Sequence, residues 1–278
     1  MRRLSLLLAA AVFALPACAQ YSADKPLGAS AQSTPAYLKN AGLDQRLGTQ
    51  IPLDLQFTDS TATTQPIGRY FHGRPVVMVF VYYNCAMLCP QVLHGLASAL
   101  PPTGYKPGKD YDVVVTSIDP SETPKDAAAA RSNFIRGLGS VPPGSIHFLV
   151  GPQPQITELA NAVGFHYVRV PGPDGRMTQF AHSSVIMIAT PEGKLSKYLT
   201  GVEYQPRDLR LALLEASDHR IGSATDLVLL YCCSYSPAEG RYTVSVLRIL
   251  GLAAMATVIG LIAMLYMLSR KPKVNTAA

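Results

Sequence analysis

The sequence predicts an α/β fold, a mixed sheet with helices on both faces, carried on one C-terminal transmembrane helix. Three observations predict it. Apolar, β-branched runs alternate with stretches of helical spacing from residue 75 to residue 216, the pattern of strands joined by crossover helices. Proline or glycine stands at most of the junctions between them, where the chain has to change direction. Near the C-terminus a charge-free run of about twenty residues, 249–268, is followed at once by Arg270, Lys271 and Lys273. That run is long enough to cross a hydrocarbon core, and positive flanks favour the cytoplasmic side.

In chain order, residues 1–19 read as a secretory signal: Arg2 and Arg3, an apolar stretch, then Ala17-Cys18-Ala19 as a small-x-small cleavage site. Leu15-Pro16-Ala17-Cys18 loosely resembles a lipobox, so lipoprotein processing at Cys18 is the alternative. Residues 20–49, rich in Ala, Ser, Pro and Gly without a clear period, read as a linker or loosely packed arm. A signal at one end and a membrane helix over 247–268 at the other place the intervening chain outside the cytoplasm. The expectation is a single-pass protein of the inner membrane, its main domain periplasmic and residues 269–278 a cytoplasmic tail.

The domain is expected over residues 50–220. The run Pro75-Val76-Val77-Met78-Val79-Phe80-Val81-Tyr82 is apolar throughout, as in a strand buried on both faces. Residues 90–100 have helical spacing, with Pro90 suited to a helix start. A second strand follows at 111–118, a helix at 121–135, a short apolar strand at 146–150 and a helix at 156–163 stopped by Gly164. Residues 185–189 form a strand that Pro191-Glu192-Gly193 turns into a hairpin partner at 194–199. A helix at 206–216, with Leu209, Leu213 and Leu214 in one stripe, closes the domain. Residues 221–246 join it to the membrane helix.

The net charge of +6 is modest and spread along the chain, with no basic block interleaved with aromatics. Nucleic acid is therefore excluded as a partner. Of the five cysteines, Cys18 leaves with the signal. Cys85, Cys89, Cys232 and Cys233 remain, in a compartment where thiols become disulfides, redox agents or metal ligands.

The sharpest feature is Tyr82-Tyr83-Asn84-Cys85-Ala86-Met87-Leu88-Cys89-Pro90, at the junction of a buried strand and a helix. With Pro90 as the first helical residue, Cys89 sits at the N-cap, where free N–H groups and the dipole favour a thiolate. Thiolates placed there serve disulfide exchange or soft-metal binding. Two of them suit Cu(I), and an added imidazole suits Cu(II) as well. Zinc is disfavoured, because a closed site takes four N or S ligands and no second nearby pair is present. A structural disulfide gains little from closing so short a loop.

The Cys-x-x-x-Cys-Pro run after an apolar strand resembles the SCO1/SenC family of copper metallochaperones of cytochrome c oxidase assembly. Ala181-His182-Ser183-Ser184 ahead of the strand at 185–189, and Ser117-Ile118-Asp119-Pro120 followed by Glu122-Thr123-Pro124, resemble further family stretches. Asp208 to Leu211 and the tyrosine-rich segment before the anchor resemble a branch with a C-terminal membrane helix. The resemblance implies a thioredoxin-like fold and copper held by Cys85, Cys89 and His182. It also implies a carrier without turnover, whose partner is the copper-bearing subunit of cytochrome c oxidase, alongside other copper chaperones or thiol–disulfide reductants. Ala86 stands where members often have proline, and Ala181 where many carry aspartate.

The rival reading is a membrane-anchored thiol–disulfide oxidoreductase using Cys85 and Cys89 as a redox pair; a peroxiredoxin-like peroxidase is a third. His72, His94, His147, His166 and His219 read as ordinary surface or hydrogen-bonded histidines. His94 is expected to point away from Cys89, and Met87 to pack, with a thioether ligand to Cu(I) as the alternative. Cys232 and Cys233 are expected to be interfacial packing residues, with a secondary thiol site that meets a partner as the alternative.

Overall fold

A computed structural model describes residues 40–85, 87–138, 141–172, 175–218 and 224–269. The proposed signal with Cys18, the linker up to residue 39, Ala86, His219 and the tail from 270 lie outside the described residues.

The chain runs β1 (Gly42–Leu43), β2 (Gln56–Asp59), β3 (Thr64–Pro66), β4 (Val76–Val81), α1 (Cys89–Ala99), β5 (Asp112–Ser117) and α2 (Pro124–Arg136). It continues through β6 (Ile146–Val150), α3 (Gln153–Ala162), β7 (Phe165–Val170), β8 (Gln179–His182), β9 (Val185–Ala189) and β10 (Leu195–Thr200). After α4 (Pro206–Ala216) come α5 (Ala224–Cys232), β11 (Cys233–Ser236), β12 (Arg241–Val244) and α6 (Val246–Ser269).

A seven-stranded mixed sheet, in the order β10-β9-β4-β5-β6-β2-β3, is the centre of the domain. β4, β5 and β6 are parallel, whereas β9 runs antiparallel to β4 and pairs with β10 as a hairpin. Every residue of β4 and β5 is buried, which is why these two strands read as unbroken apolar runs. A smaller antiparallel sheet, β1-β7-β8, lies against the large one. Phe80 of β4 stacks on Phe165 of β7, ring centroids 4.9 Å apart.

The expected strands and helices are present in the expected order, with β1, β2, β3, β7 and β8 in addition. α2 begins at Pro124 rather than 121, because Thr123 and Asp126 form a reciprocal capping box. α1 begins one residue early, so Cys89 is its first residue and Leu88 its N-cap. Residues 40–49, expected as the end of the linker, belong to the fold. β1 pairs with β7, and the Asp44 and Gly48 N–H groups donate to the carbonyls of Gly164 and Leu195 at 2.8 and 2.7 Å. These pairings are long-range, so composition gave no sign of them. Gly164, at φ +67°, does more than stop a helix: a Cβ there would stand 1.9 Å from the Asp44 carbonyl oxygen.

Residues 224–245, between the domain and α6, also form regular structure. β11 and β12 form a hairpin laid beside β10. The Tyr235 hydroxyl donates to the Tyr198 carbonyl at 2.6 Å, and the Tyr242 hydroxyl to Glu215 at 2.9 Å. α5 is held by Arg210, whose guanidinium forms a two-point ion pair with Asp226 at 2.7 and 2.6 Å. α6 holds one stretch, Arg248–Tyr266, long and apolar enough to cross a membrane, and its apolar residues are not buried inside the structure.

Candidate metal centre

β4 delivers the chain into the loop that carries Cys85, and α1 takes it away starting at Cys89. β8 ends at His182 in the same corner. The two cysteines are buried, 9% and 2% exposed, and both are free thiols. His182 Nε2 lies 3.6 Å from Cys89 Sγ, across 93 residues of sequence. The other ring nitrogen, Nδ1, donates to the Ser183 carbonyl at 2.9 Å. That bond fixes the tautomer and leaves the Nε2 lone pair directed at the sulfur. Phe165 covers the ring at a centroid distance of 5.4 Å. Burial lowers the His182 pKa, so the imidazole is neutral and free to ligate at neutral pH.

The two sulfurs differ. Interaction with Cys89, the Tyr82 hydroxyl and the Met87 N–H lowers the Cys85 pKa far below the ordinary thiol range. The same interaction, reinforced by burial, drives Cys89 upward. The Met87 N–H, in the loop just ahead of the helix, donates to Cys85 Sγ at 3.4 Å. Among the described residues no three His, Cys, Asp or Glu side chains stand close enough together to hold a metal ion. The Cys89–His182 pair is in place at 3.6 Å, and Cys85 is the third sulfur or nitrogen donor on the same loop.

Beneath the loop lies a carboxylate that the sequence reading did not place in the site. Glu122, 8% exposed, accepts from the Tyr83 and Asn84 N–H groups at 2.8 and 2.7 Å and from the Ser117 hydroxyl at 2.6 Å. It thereby ties the residues just before Cys85 to the end of β5. Desolvation raises its pKa, opposed by these same hydrogen bonds. The signal available in sequence was the stretch at 117–124 itself, matched there as a resemblance without a role.

His94 is exposed and lines one cleft of about 350 Å³ together with Cys89, Tyr82, Tyr83, Leu93 and Phe134. One expectation fails. Met87 does not pack; it is 61% exposed, and neighbouring Leu88 is 48% exposed. The remaining described histidines have other surroundings. His147 lies against Tyr70 with ring centroids 4.4 Å apart, His166 bonds Asp44 at 2.9 Å, and His72 is exposed. Cys233 is buried and Cys232 half-buried.

Fold and site together define a thioredoxin-like domain in which a strand-to-helix cysteine pair faces a histidine from a late strand. The SCO1/SenC sequence profile matches residues 46–215, most of the chain, and the protein belongs to that family. Among solved structures it is similar in fold to a putative electron transfer protein from Aquifex aeolicus. That likeness has 24% identity and a TM-score of 0.55, covering 63% of this chain and 96% of that one. Copper-bound ScoI of Arabidopsis thaliana matches at 18% identity and a TM-score of 0.49, over 62% of this chain and 98% of its own. Copper-bound ScoI of Bradyrhizobium japonicum matches at 20% and 0.45, over 63% and 99%. Among curated protein sequences none matches the chain.

Proposed function

We propose that this protein binds copper through Cys85, Cys89 and His182 and delivers it to the copper-bearing subunit of cytochrome c oxidase during assembly. The observation that carries the reading is the Cys89–His182 approach of 3.6 Å, with Nδ1 engaged by Ser183 and Nε2 left open. Membership of the SCO1/SenC family agrees with it. The donor set fits the ion: two sulfurs and an imidazole suit Cu(I) and, with the imidazole bound, Cu(II). Closing on copper asks only that the loop bring the Cys85 thiolate to the existing pair, with loss of the Cys89 proton. Exposed Met87 and Leu88 offer a partner an apolar approach to that loop. α6 anchors the domain on the periplasmic side of the inner membrane. Anchoring raises the donor's effective concentration near an acceptor in the same bilayer.

The unequal thiols favour a second reading, reduction of the acceptor's cysteines by the Cys85–Cys89 pair, because a low-pKa thiolate beside a thiol suits disulfide exchange. His182→Ala separates the two. Copper carriage predicts that the reduced full-length protein binds one equivalent of copper, that the variant's affinity falls at least about 10-fold, and that oxidase assembly fails. Normal assembly by the variant, with thiol exchange intact, refutes carriage and leaves the redox reading.

A further inference from the structure

We propose that α5 is an interfacial helix, its apolar face lying in the membrane surface beside α6, so that the domain stands on the bilayer in a fixed pose. This rests on the reading of α6 as a membrane span. Leu227, Val228 and Tyr231 of α5 are 45%, 58% and 54% exposed, and Val244 beside the start of α6 is 53% exposed. Leu227, Val228 and Tyr231 share one face at helical spacing. The acid on this helix, Asp226, is turned the other way, into the two-point pair with Arg210. α5 therefore presents an apolar face to the outside and its charge to the domain, the distribution of a helix at a bilayer surface.

The occupant of that face follows from continuity with α6. The Ser245 N–H donates to the Cys232 carbonyl at 2.8 Å, so the last residue of α5 is bonded to the residue preceding α6. The Arg248 guanidinium donates to the Tyr231 carbonyl at 3.0 Å and lies 5.8 Å from that ring's centroid. A tyrosine and an arginine joined at the mouth of a membrane span are the residues that settle among lipid headgroups. Nine residues are few for membrane binding alone, but α6 already holds α5 at the surface, so only the local orientation remains to be fixed.

The hairpin sets where the site stands in this pose. Its base carries α5 and α6. Its turn meets the end of β10, where the Thr200 hydroxyl donates to the Glu239 carbonyl at 3.2 Å. The Gly201 N–H there donates to the Ser184 carbonyl at 2.9 Å, two residues from His182. Membrane face and candidate centre thus occupy opposite ends of a hairpin whose strands span roughly 13 Å.

The chain contains no tryptophan, so single-tryptophan variants of the full-length protein in liposomes report position directly. The probe is phosphatidylcholine brominated either near the headgroup or deep in the acyl chain. Leu227→Trp and Val228→Trp are expected to lose about half their emission to shallow bromine, as for a helix lying at the boundary of headgroup and acyl chain. Ile259→Trp in α6 should respond to deep bromine. Thr61→Trp, in the β2–β3 hairpin at the sheet edge opposite β10, should respond to neither. Water-exposed, unquenched emission at 227 and 228 with deep quenching at 259 overturns the proposal and spares the membrane span. Blue-shifted but unquenched emission at 227 and 228 means that protein covers the face, and also overturns it. Absence of quenching at 259 removes the span and the proposal together.

Discussion

Replacing Glu122 by alanine tests whether the cysteine loop is held from below. The substitution leaves two donors without their acceptor, the Tyr83 and Asn84 N–H groups, and turns the Ser117 hydroxyl onto its weaker acceptor, the Asp119 carbonyl at 3.3 Å. Each unpaired buried donor costs about 1–3 kcal/mol, and water entering the vacated space restores part of that. The variant also spares the desolvation that pushes the Glu122 pKa up. A net loss of about 3 kcal/mol is expected after these offsets. In a domain of this size that corresponds to a Tm lower by about 6–12 °C. Because the freed residues lead directly into Cys85, copper affinity should also fall, by roughly 10- to 100-fold as for other groups that orient metal ligands. Calorimetry in detergent and competition titration with a Cu(I) chelator measure the two effects. Glu122→Gln, which keeps the shape and one acceptor oxygen, should fall between wild type and alanine in both. A Glu122→Ala protein within about 2 °C of the parent and unchanged in copper affinity refutes the positioning role.

Other predictions follow from single positions. Gly95→Ala in α1 should gain about 1 kcal/mol by helix propensity alone. However, its Cβ would lie 1.9 Å from the Val202 carbonyl oxygen, so a net loss of at least about 2 kcal/mol is expected in denaturant unfolding; a stabilised variant contradicts the packing of α1 on the loop after β10. Burial lowers His147 to about 4, so its contribution to stability is present above the unfolded value near 6.5 and is lost as pH falls toward about 4. His147→Gln should flatten the acid limb of a stability–pH profile by on the order of 2 kcal/mol, and an unchanged limb would deny the assignment. Tyr235→Phe removes the hydroxyl that donates to the Tyr198 carbonyl and accepts from the Tyr198 N–H. It should cost about 1–2 kcal/mol and speed proteolysis within the hairpin; equal cleavage rates would mean the hairpin is not docked there.

The strand and helix sequence of the domain was legible because its signals are local. β4 and β5 are buried on both faces and so are apolar at every step, and α4 was bounded to the residue by Pro206 and its leucine stripe. The cysteine pair at the strand-to-helix junction was equally visible, since chain neighbours alone place both sulfurs at the mouth of α1. A charge-free run followed by basic residues marked α6, a helix long and apolar enough to cross a membrane, in the same way. Position 182 was suggested only by resemblance, and the sequence had no means of aiming its ring. That depended on β8 pairing with β7, Phe165 covering the imidazole, and the Ser183 carbonyl holding Nδ1. Glu122 beneath the loop, the docking of residues 40–49 onto β7, and the hairpin between domain and anchor were likewise decided by tertiary structure. Each of these joins groups far apart in the chain, and neither periodicity nor composition records which distant partner a hydrogen bond will find.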